Sequence, residues 1–309
     1  MPNLQPPITT VDQAMEYRQR ILDARPANSD FSPLMTLYLT DDTSAEEIRK
    51  ASASESVIAI KYYPAGATTN SAAGVTAIEK IYPALECMQD CDLPLLVHGE
   101  ATDPSIDVFD REQAFIDQTL VPLAEKYPEL RIVFEHISTT DAVEFVLTAR
   151  SGVAATITPQ HMLLNRNALF APGLQPHHYC LPVLKREQHR QRVLAAATSG
   201  SERFFLGTDS APHSTADKQS ACGCAGIFSA HAAIELYAEA FDQAGQLNRL
   251  EGFASHFGAD FYRLPRNPES ITLTKNPWRV GETLEIGLQD LTPFRAGLEV
   301  AWRLEQGSG

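Results

Sequence analysis

Four polar residues of this chain each follow a short apolar run, and together they could hold metal ions. Lys61 follows "VIAI", His98 follows "PLLV", His136 follows "RIVFE" and Asp209 follows "FFLGT". Imidazole and carboxylate side chains are common ligands of zinc and similar divalent ions. A lysine beside them can act as a ligand only if its positive charge is removed. The recurrence of the four in one register therefore indicates metal-dependent chemistry.

Each of these residues alone also has an ordinary structural explanation. Either histidine would more often be hydrogen-bonded in a core or at a rim. Lys61 would be a strand-end lysine with a buried stem, and Asp209 a helix N-cap or turn residue. Their common register favours the functional interpretation. Six other histidines lack it, so we expect structural roles for His161, His177, His178, His189, His231 and His256.

Helical and strand patterns alternate along the chain, and these elements must position the four residues. Runs that are apolar on both faces predict parallel strands covered by helices, within 33–40, 57–64, 94–100, 131–138, 153–160 and 203–210. The first helix is predicted to start at a capping box formed by Thr10 and Gln13. Six such units without a G-x-G-x-x-G motif favour a (β/α) barrel, in which the four residues would project at the C-terminal rim.

Composition and charge narrow the possible partners. The chain has 309 residues, 44% of them apolar, and no linker or repeat divides it, so one domain over 1–309 is expected. A net charge of −14 without a Lys/Arg cluster argues against nucleic acid. No apolar stretch reaches the ~18 residues of a membrane span, and the N-terminus lacks signal-peptide features, which predicts a cytoplasmic protein. The five cysteines, an odd number, fit reduced thiols.

Seven segments resemble the bacterial-type (class II) dihydroorotases of the amidohydrolase superfamily. They are "KYYPAGATTNS", "PLLVHGE", "VFEHIS", "ATITPQHMLLNRN", "PHHYCLPVLKR", "FLGTDSAPH" and "CGCAGIF", and they occur in order over nearly the whole chain. The resemblance implies a (β/α)8 TIM-type barrel that forms a homodimer. It also implies the reversible cyclisation of N-carbamoyl-L-aspartate to L-dihydroorotate in pyrimidine biosynthesis, with zinc as the usual metal.

The same resemblance implies roles for individual residues. Lys61 would be carboxylated on its side-chain nitrogen, and the new carboxylate would bridge two zinc ions. His98 and His136 would bind the second ion. Asp209 would bind the first ion and move a proton between the bridging hydroxide and the ring nitrogen. The implied substrate contacts are the side chains of Asn3 and His213, backbone groups of Leu181 and Ala225, and Thr68 and Thr69 at the tip of a mobile loop.

One motif of the family is not found in this chain. The first barrel strand of the family ends in H-x-H-x-R, and no H-x-H occurs among these residues. The start at "MPNL" corresponds to the end of the family's second strand, so we expect the first strand and most of the second to be absent.

Two alternatives for the function stay open: a non-catalytic relative that binds ligand or a partner enzyme, and a hydrolase acting on another cyclic amide.

We expect the 309-residue chain to bind at most one divalent ion with useful affinity and to be nearly inactive, because the first-metal ligand set would be halved. Adding the native upstream segment should restore a second ion and activity together. Metal content and N-carbamoyl-L-aspartate cyclisation, assayed for both lengths, test this expectation. A short chain that already holds two ions and turns over well would contradict it.

Overall fold

A computed structural model describes residues 1–287 and 289–305. Its α-helices are α1 Val11–Ala24, α2 Ala45–Ser52, α3 Tyr82–Asp90, α4 Arg111–Phe115, α5 Val121–Lys126, α6 Thr140–Thr148, α7 Pro159–Leu163, α8 Glu187–Ala197, α9 Thr215–Lys218, α10 Ala233–Gln243 and α11 Phe257–Tyr262. A π-helical segment, Ile116–Leu120, joins α4 to α5, and another, Gly252–His256, precedes α11. Short 3₁₀ segments span Ile78–Ile81, Arg166–Leu169, Pro176–His178, Ala230–Ala232 and Leu247–Arg249.

Six parallel strands follow one another in chain order in the sheet: β1 Met35–Tyr38, β2 Val57–Tyr62, β3 Leu95–Val97, β4 Ile132–Phe134, β5 Val153–Ile157 and β6 Phe204–Leu206. Each lies inside one of the apolar runs, so the prediction of parallel strands alternating with helices is confirmed. Six further strands form three antiparallel pairs that the sequence did not suggest: β7 Leu273–Thr274 with β12 Arg303–Leu304, β8 Trp278–Arg279 with β11 Glu299–Val300, and β9 Leu284–Ile286 with β10 Gln289–Leu291.

The chain forms two compact units, 1–135 with 149–153, and 136–148 with 154–309. One domain over 1–309 stays a prediction, and positions 288 and 306–309 of that range lie outside the described residues. The five cysteines are free thiols: Cys87, Cys91, Cys180, Cys222 and Cys224. Within the described ranges, no helix is both long and apolar enough to cross a membrane.

The first unit contains β1 to β4 in parallel register. Its strands bury residues on both faces, as Leu37, Ile60 and Ile132 illustrate, which is typical of parallel strands in α/β proteins. The predicted capping box starts α1: the Thr10 hydroxyl accepts a hydrogen bond from the Gln13 N–H, and the Gln13 side chain accepts one from the Thr10 N–H. The first helix is therefore fixed by its own sequence.

The second unit contains most of β5, which pairs with β6 in parallel register. One of its apolar clusters gathers Leu184, Leu236, Phe294 and Val300. Tyr237 of α10 is fully buried, and its hydroxyl donates a hydrogen bond of 2.7 Å to the carbonyl of Ile157 at the end of β5. This bond fixes α10 beneath the carboxyl end of a strand.

Arg150→Met should lower the free energy of unfolding by about 1–3 kcal/mol, because it removes hydrogen bonds that a half-buried guanidinium donates to backbone carbonyls. The Arg150 guanidinium donates to the carbonyls of Ala124 and Tyr127, at the C-terminal end of α5. The matched control is Arg192→Met, whose guanidinium forms an exposed ion pair with Glu144 and should contribute less than about 1 kcal/mol. Urea unfolding of both variants measures the difference, and equal losses would refute it.

Candidate active site

The four predicted metal ligands lie at or just beyond the carboxyl ends of strands. Lys61 is within β2, His98 directly follows β3, His136 lies beyond β4 and Asp209 beyond β6. Lys61 and His98 belong to the first unit, and His136 and Asp209 to the second. Among the residues that the structure describes, no group of three or more His, Cys, Asp or Glu side chains stands in an arrangement that would hold a metal ion.

Lys61 is 0% exposed and is paired with an acidic residue that the sequence analysis missed. Its ammonium donates to a carboxylate oxygen of Glu135 and lies 5.1 Å from the centroid of the Tyr63 ring. An uncompensated buried charge is strongly unfavourable, so Glu135 balances the Lys61 ammonium. The sequence did contain an indication of Glu135: in "VFEHIS", an acidic residue stands directly beyond an apolar run and beside His136.

His98 has a carboxylate partner in a buried environment. Its Nε2 lies 2.8 Å from Oε2 of Glu100, and both residues are 1% exposed. Because a carboxylate accepts hydrogen bonds, Nε2 of His98 carries a proton in this contact. This is how metal-binding imidazoles are usually oriented in proteins. Gly99 allows the turn between the two, because a Cβ there would lie 2.3 Å from the Phe134 ring.

His136 and Asp209 share an unusual backbone conformation. Each has φ of 45°, in the left-handed region that residues with a side chain seldom adopt. The His136 N–H donates to the hydroxyl of Thr156 at 2.8 Å. The same threonine leaves no room for a side chain at position 207, where a Cβ on Gly207 would lie 2.5 Å from the Thr156 Cβ. Backbone strain held by surrounding structure is concentrated at functional sites, which favours a chemical role for both residues.

The substrate contacts predicted in the first unit lie together. The Asn3 side-chain amide donates to the Thr69 carbonyl at 3.2 Å, and the Asn70 amide donates to the Asn3 carbonyl at 3.0 Å. The Thr68 N–H donates to the Ser71 hydroxyl at 2.8 Å, which closes the turn. The structure therefore brings Asn3 to the loop that carries Thr68 and Thr69.

The substrate contacts predicted in the second unit are also neighbours. His213 Nε2 lies 3.1 Å from the carbonyl of Ala225, and since a carbonyl only accepts, Nε2 carries the proton. Burial lowers the pKa of His213 below its usual value, and the positive charge of Lys218 lowers it further. Leu181 lies close to the Ala225 segment, because the Gly226 N–H donates to the Tyr179 carbonyl at 3.0 Å. A carboxylate bound at Nε2 would replace the Ala225 carbonyl as acceptor.

Curated relatives match nearly the whole chain. A dihydroorotase of Nitrosococcus oceani is 60% identical over 306 residues, which covers 99% of this chain and 89% of the relative. A dihydroorotase of Nitrosomonas europaea is 62% identical over 306 residues, with 98% and 88% covered. No family model matches the sequence.

Solved structures agree with the curated relatives. Dihydroorotase of Saccharomyces cerevisiae in complex with 5-fluoroorotic acid superposes with a TM-score of 0.89 at 33% identity, covering 99% of this chain and 88% of that one. Dihydroorotase of Campylobacter jejuni gives 0.90 at 34% identity, with 99% and 87% covered. The dihydropyrimidinase of Brevibacillus agri, at 14% identity and a TM-score of 0.75, supports the fold alone. On this sequence and structural similarity, the chain belongs to the dihydroorotase family, hydrolases acting on cyclic amides.

Proposed function

We propose that this chain catalyses the reversible cyclisation of N-carbamoyl-L-aspartate to L-dihydroorotate in pyrimidine biosynthesis. The observation that carries this proposal is the identity of 60% and 62% to dihydroorotases over nearly the full chain. A non-catalytic relative would be expected to lose its site residues, whereas this chain keeps Lys61, His98, His136, Asp209 and His213. The small-molecule substrate would be held by side chains and backbone groups of this chain.

We infer that Lys61, His98, His136 and Asp209 hold the metal, with zinc as the ion and two ions per subunit in the complete family enzyme. Bound zinc supplies Lewis-acid chemistry: it makes water more acidic and polarises the amide carbonyl. The His98–Glu100 bond supports this assignment, because it orients the His98 imidazole as a ligand. The left-handed backbone at His136 and Asp209 also supports it, since such strain persists where a side chain must be aimed.

Carboxylation of Lys61 changes the charge balance of its pair with Glu135. The unmodified Lys61 ammonium and the Glu135 carboxylate neutralise each other. A carboxylated Lys61 beside the same Glu135 would give two negative charges, one of them on a fully buried side chain. Such like charges repel each other unless cations neutralise them. The pair therefore fits a lysine whose modification is coupled to the binding of divalent metal.

Asp209 is the residue we assign to proton transfer. A carboxylate within reach of the attacking water and of the ring nitrogen can take a proton from one and give it to the other. His213 and Asn3 would bind the substrate carboxylate, and backbone groups of Leu181 and Ala225 would hold the ring. Thr68 and Thr69 would close over the substrate, on a loop that includes Gly66 with φ of 82°.

Several expectations from the sequence and from the family resemblance stay predictions. They are a homodimer, a cytoplasmic location, a single barrel domain over 1–309, and the absence of the first strand and most of the second. The prediction that the chain binds at most one ion depends on the last of these.

Asp209→Asn, in a version with the complete metal site, should abolish turnover and leave metal binding largely intact. The amide still offers an oxygen to the ion but cannot act as a base. The measurements are ring opening of L-dihydroorotate and zinc content by atomic absorption. Near-normal activity in this variant would remove Asp209 from the proton-transfer role.

Lys61→Met should destabilise the fold by about 3–5 kcal/mol, because it leaves Glu135 as an uncompensated charge. In the double variant Lys61→Met/Glu135→Leu, the stranded carboxylate is also removed, so most of the lost stability should return. Both variants should be inactive. Urea unfolding of the metal-free proteins measures the effect, and a double variant no more stable than Lys61→Met would show that the pair does not couple.

A further inference from the structure

Lys218 is a buried lysine for which the sequence analysis assigned no role. It ends α9, only 4% of it is exposed, and its ammonium donates to three backbone carbonyls. The acceptors are the carbonyls of Tyr179 at 2.7 Å, Cys224 at 2.8 Å and Gly226 at 2.8 Å. All three N–H donors of the ammonium are therefore used, and none of the bonds is to a carboxylate.

The three carbonyls belong to two chain segments, and each segment carries a backbone group assigned to the substrate. Tyr179 stands two residues before Leu181, and Cys224 and Gly226 flank Ala225. The two segments are also bonded directly, by the Gly226 N–H, which donates to the Tyr179 carbonyl at 3.0 Å. The ammonium of Lys218 joins the same two segments by three further bonds.

The segment around Ala225 includes a residue in an unfavourable backbone conformation. Cys224 has φ of 23°, outside the regions that residues with a side chain prefer. It stands between Gly223, with φ of 72°, and the Ala225–Gly226 pair, where a Cβ on Gly226 would lie 2.8 Å from the His213 ring. The Lys218 ammonium bonds to the carbonyls of Cys224 and Gly226 and so helps to fix the orientation of these peptide planes.

The bond to Cys224 also affects the neighbouring donor. The Cys224 carbonyl and the Ala225 N–H belong to one planar peptide unit. A cation on the carbonyl polarises that unit, which makes the N–H a stronger donor toward an anionic ligand. The charge of Lys218 thus acts on the substrate through the backbone without touching it.

We propose that Lys218 is a positioning residue, whose ammonium holds the Leu181 and Ala225 segments in the geometry that binds the substrate ring and strengthens the Ala225 N–H as a donor. This inference rests on the proposed function, because it takes L-dihydroorotate as the ligand of these backbone groups. Burial lowers the pKa of Lys218 to about 8, so the ammonium persists at neutral pH despite the loss of hydration. Its three carbonyl partners offset part of that loss.

Lys218→Met tests the proposal, because methionine fills the space without a charge or a donor. In the ring-opening assay at pH 7, the KM for L-dihydroorotate should rise by about tenfold or more, while kcat changes much less. If Lys218 were only a structural contact, its removal would lower the free energy of unfolding but would not raise KM while leaving kcat nearly unchanged. Lys185→Met is the matched control, because Lys185 is also buried and donates to one carbonyl, that of Val183. The KM of the Lys185→Met variant should stay within about twofold of the parent value.

Three outcomes would overturn the proposal. The first is an unchanged KM in folded Lys218→Met, and the second is an equal rise in Lys185→Met. A second variant, Lys218→Gln, keeps a polar side chain without charge and should show the same rise in KM. The third outcome is that neither Lys218 variant folds. It would show that Lys218 serves the fold and not the ligand. The kinetic comparison uses the version with the complete metal site, and a parent of that version that does not turn over L-dihydroorotate would instead refute the proposed function.

Discussion

A lysine with no exposed surface at the carboxyl end of β2 constrains the chemistry of the first unit. Hydration cannot stabilise the Lys61 charge, so a partner must, and Glu135 beyond β4 provides it. Such a pair gains little stability over an apolar core, which argues that it is kept for another purpose. A lysine whose charge is removed by modification, beside a carboxylate that then requires cations, is one purpose that this arrangement fits.

Both units depend on local geometry that ordinary residues do not favour. His136 and Asp209 have φ of 45°, and Gly99 and Gly207 stand where a Cβ would collide with Phe134 or Thr156. These features cost conformational free energy, and packing around them must offset it. In the second unit, Lys218 acts similarly on strained peptides around Ala225. Precise placement of polar groups is thus obtained from rigid strands and from buried cations that fix loops.

The sequence predicted the parts that local pattern controls. Six apolar runs contain β1 to β6, and the Thr10–Gln13 capping box starts α1, because burial on both faces and helix capping are encoded by neighbouring residues. The strands β7 to β12 were missed because each has two or three residues and no apolar run. Glu135 and Lys218 were missed because a side chain's partner from another segment is set by the tertiary fold. The positions of Lys61, His98, His136 and Asp209 at or beyond the carboxyl ends of strands were predicted, and their joint ligation of metal stays a proposal.

Carbon-13 NMR of protein loaded with zinc in the presence of labelled bicarbonate tests most directly whether Lys61 is modified in the active enzyme. The protein for this measurement is a preparation that turns over L-dihydroorotate. We expect a carbamate resonance that appears with zinc, disappears when a chelator removes it, and is missing in Lys61→Met/Glu135→Leu. A fully active, zinc-loaded protein without that resonance would contradict the account, because Lys61 would then keep its charge and could not serve as a ligand.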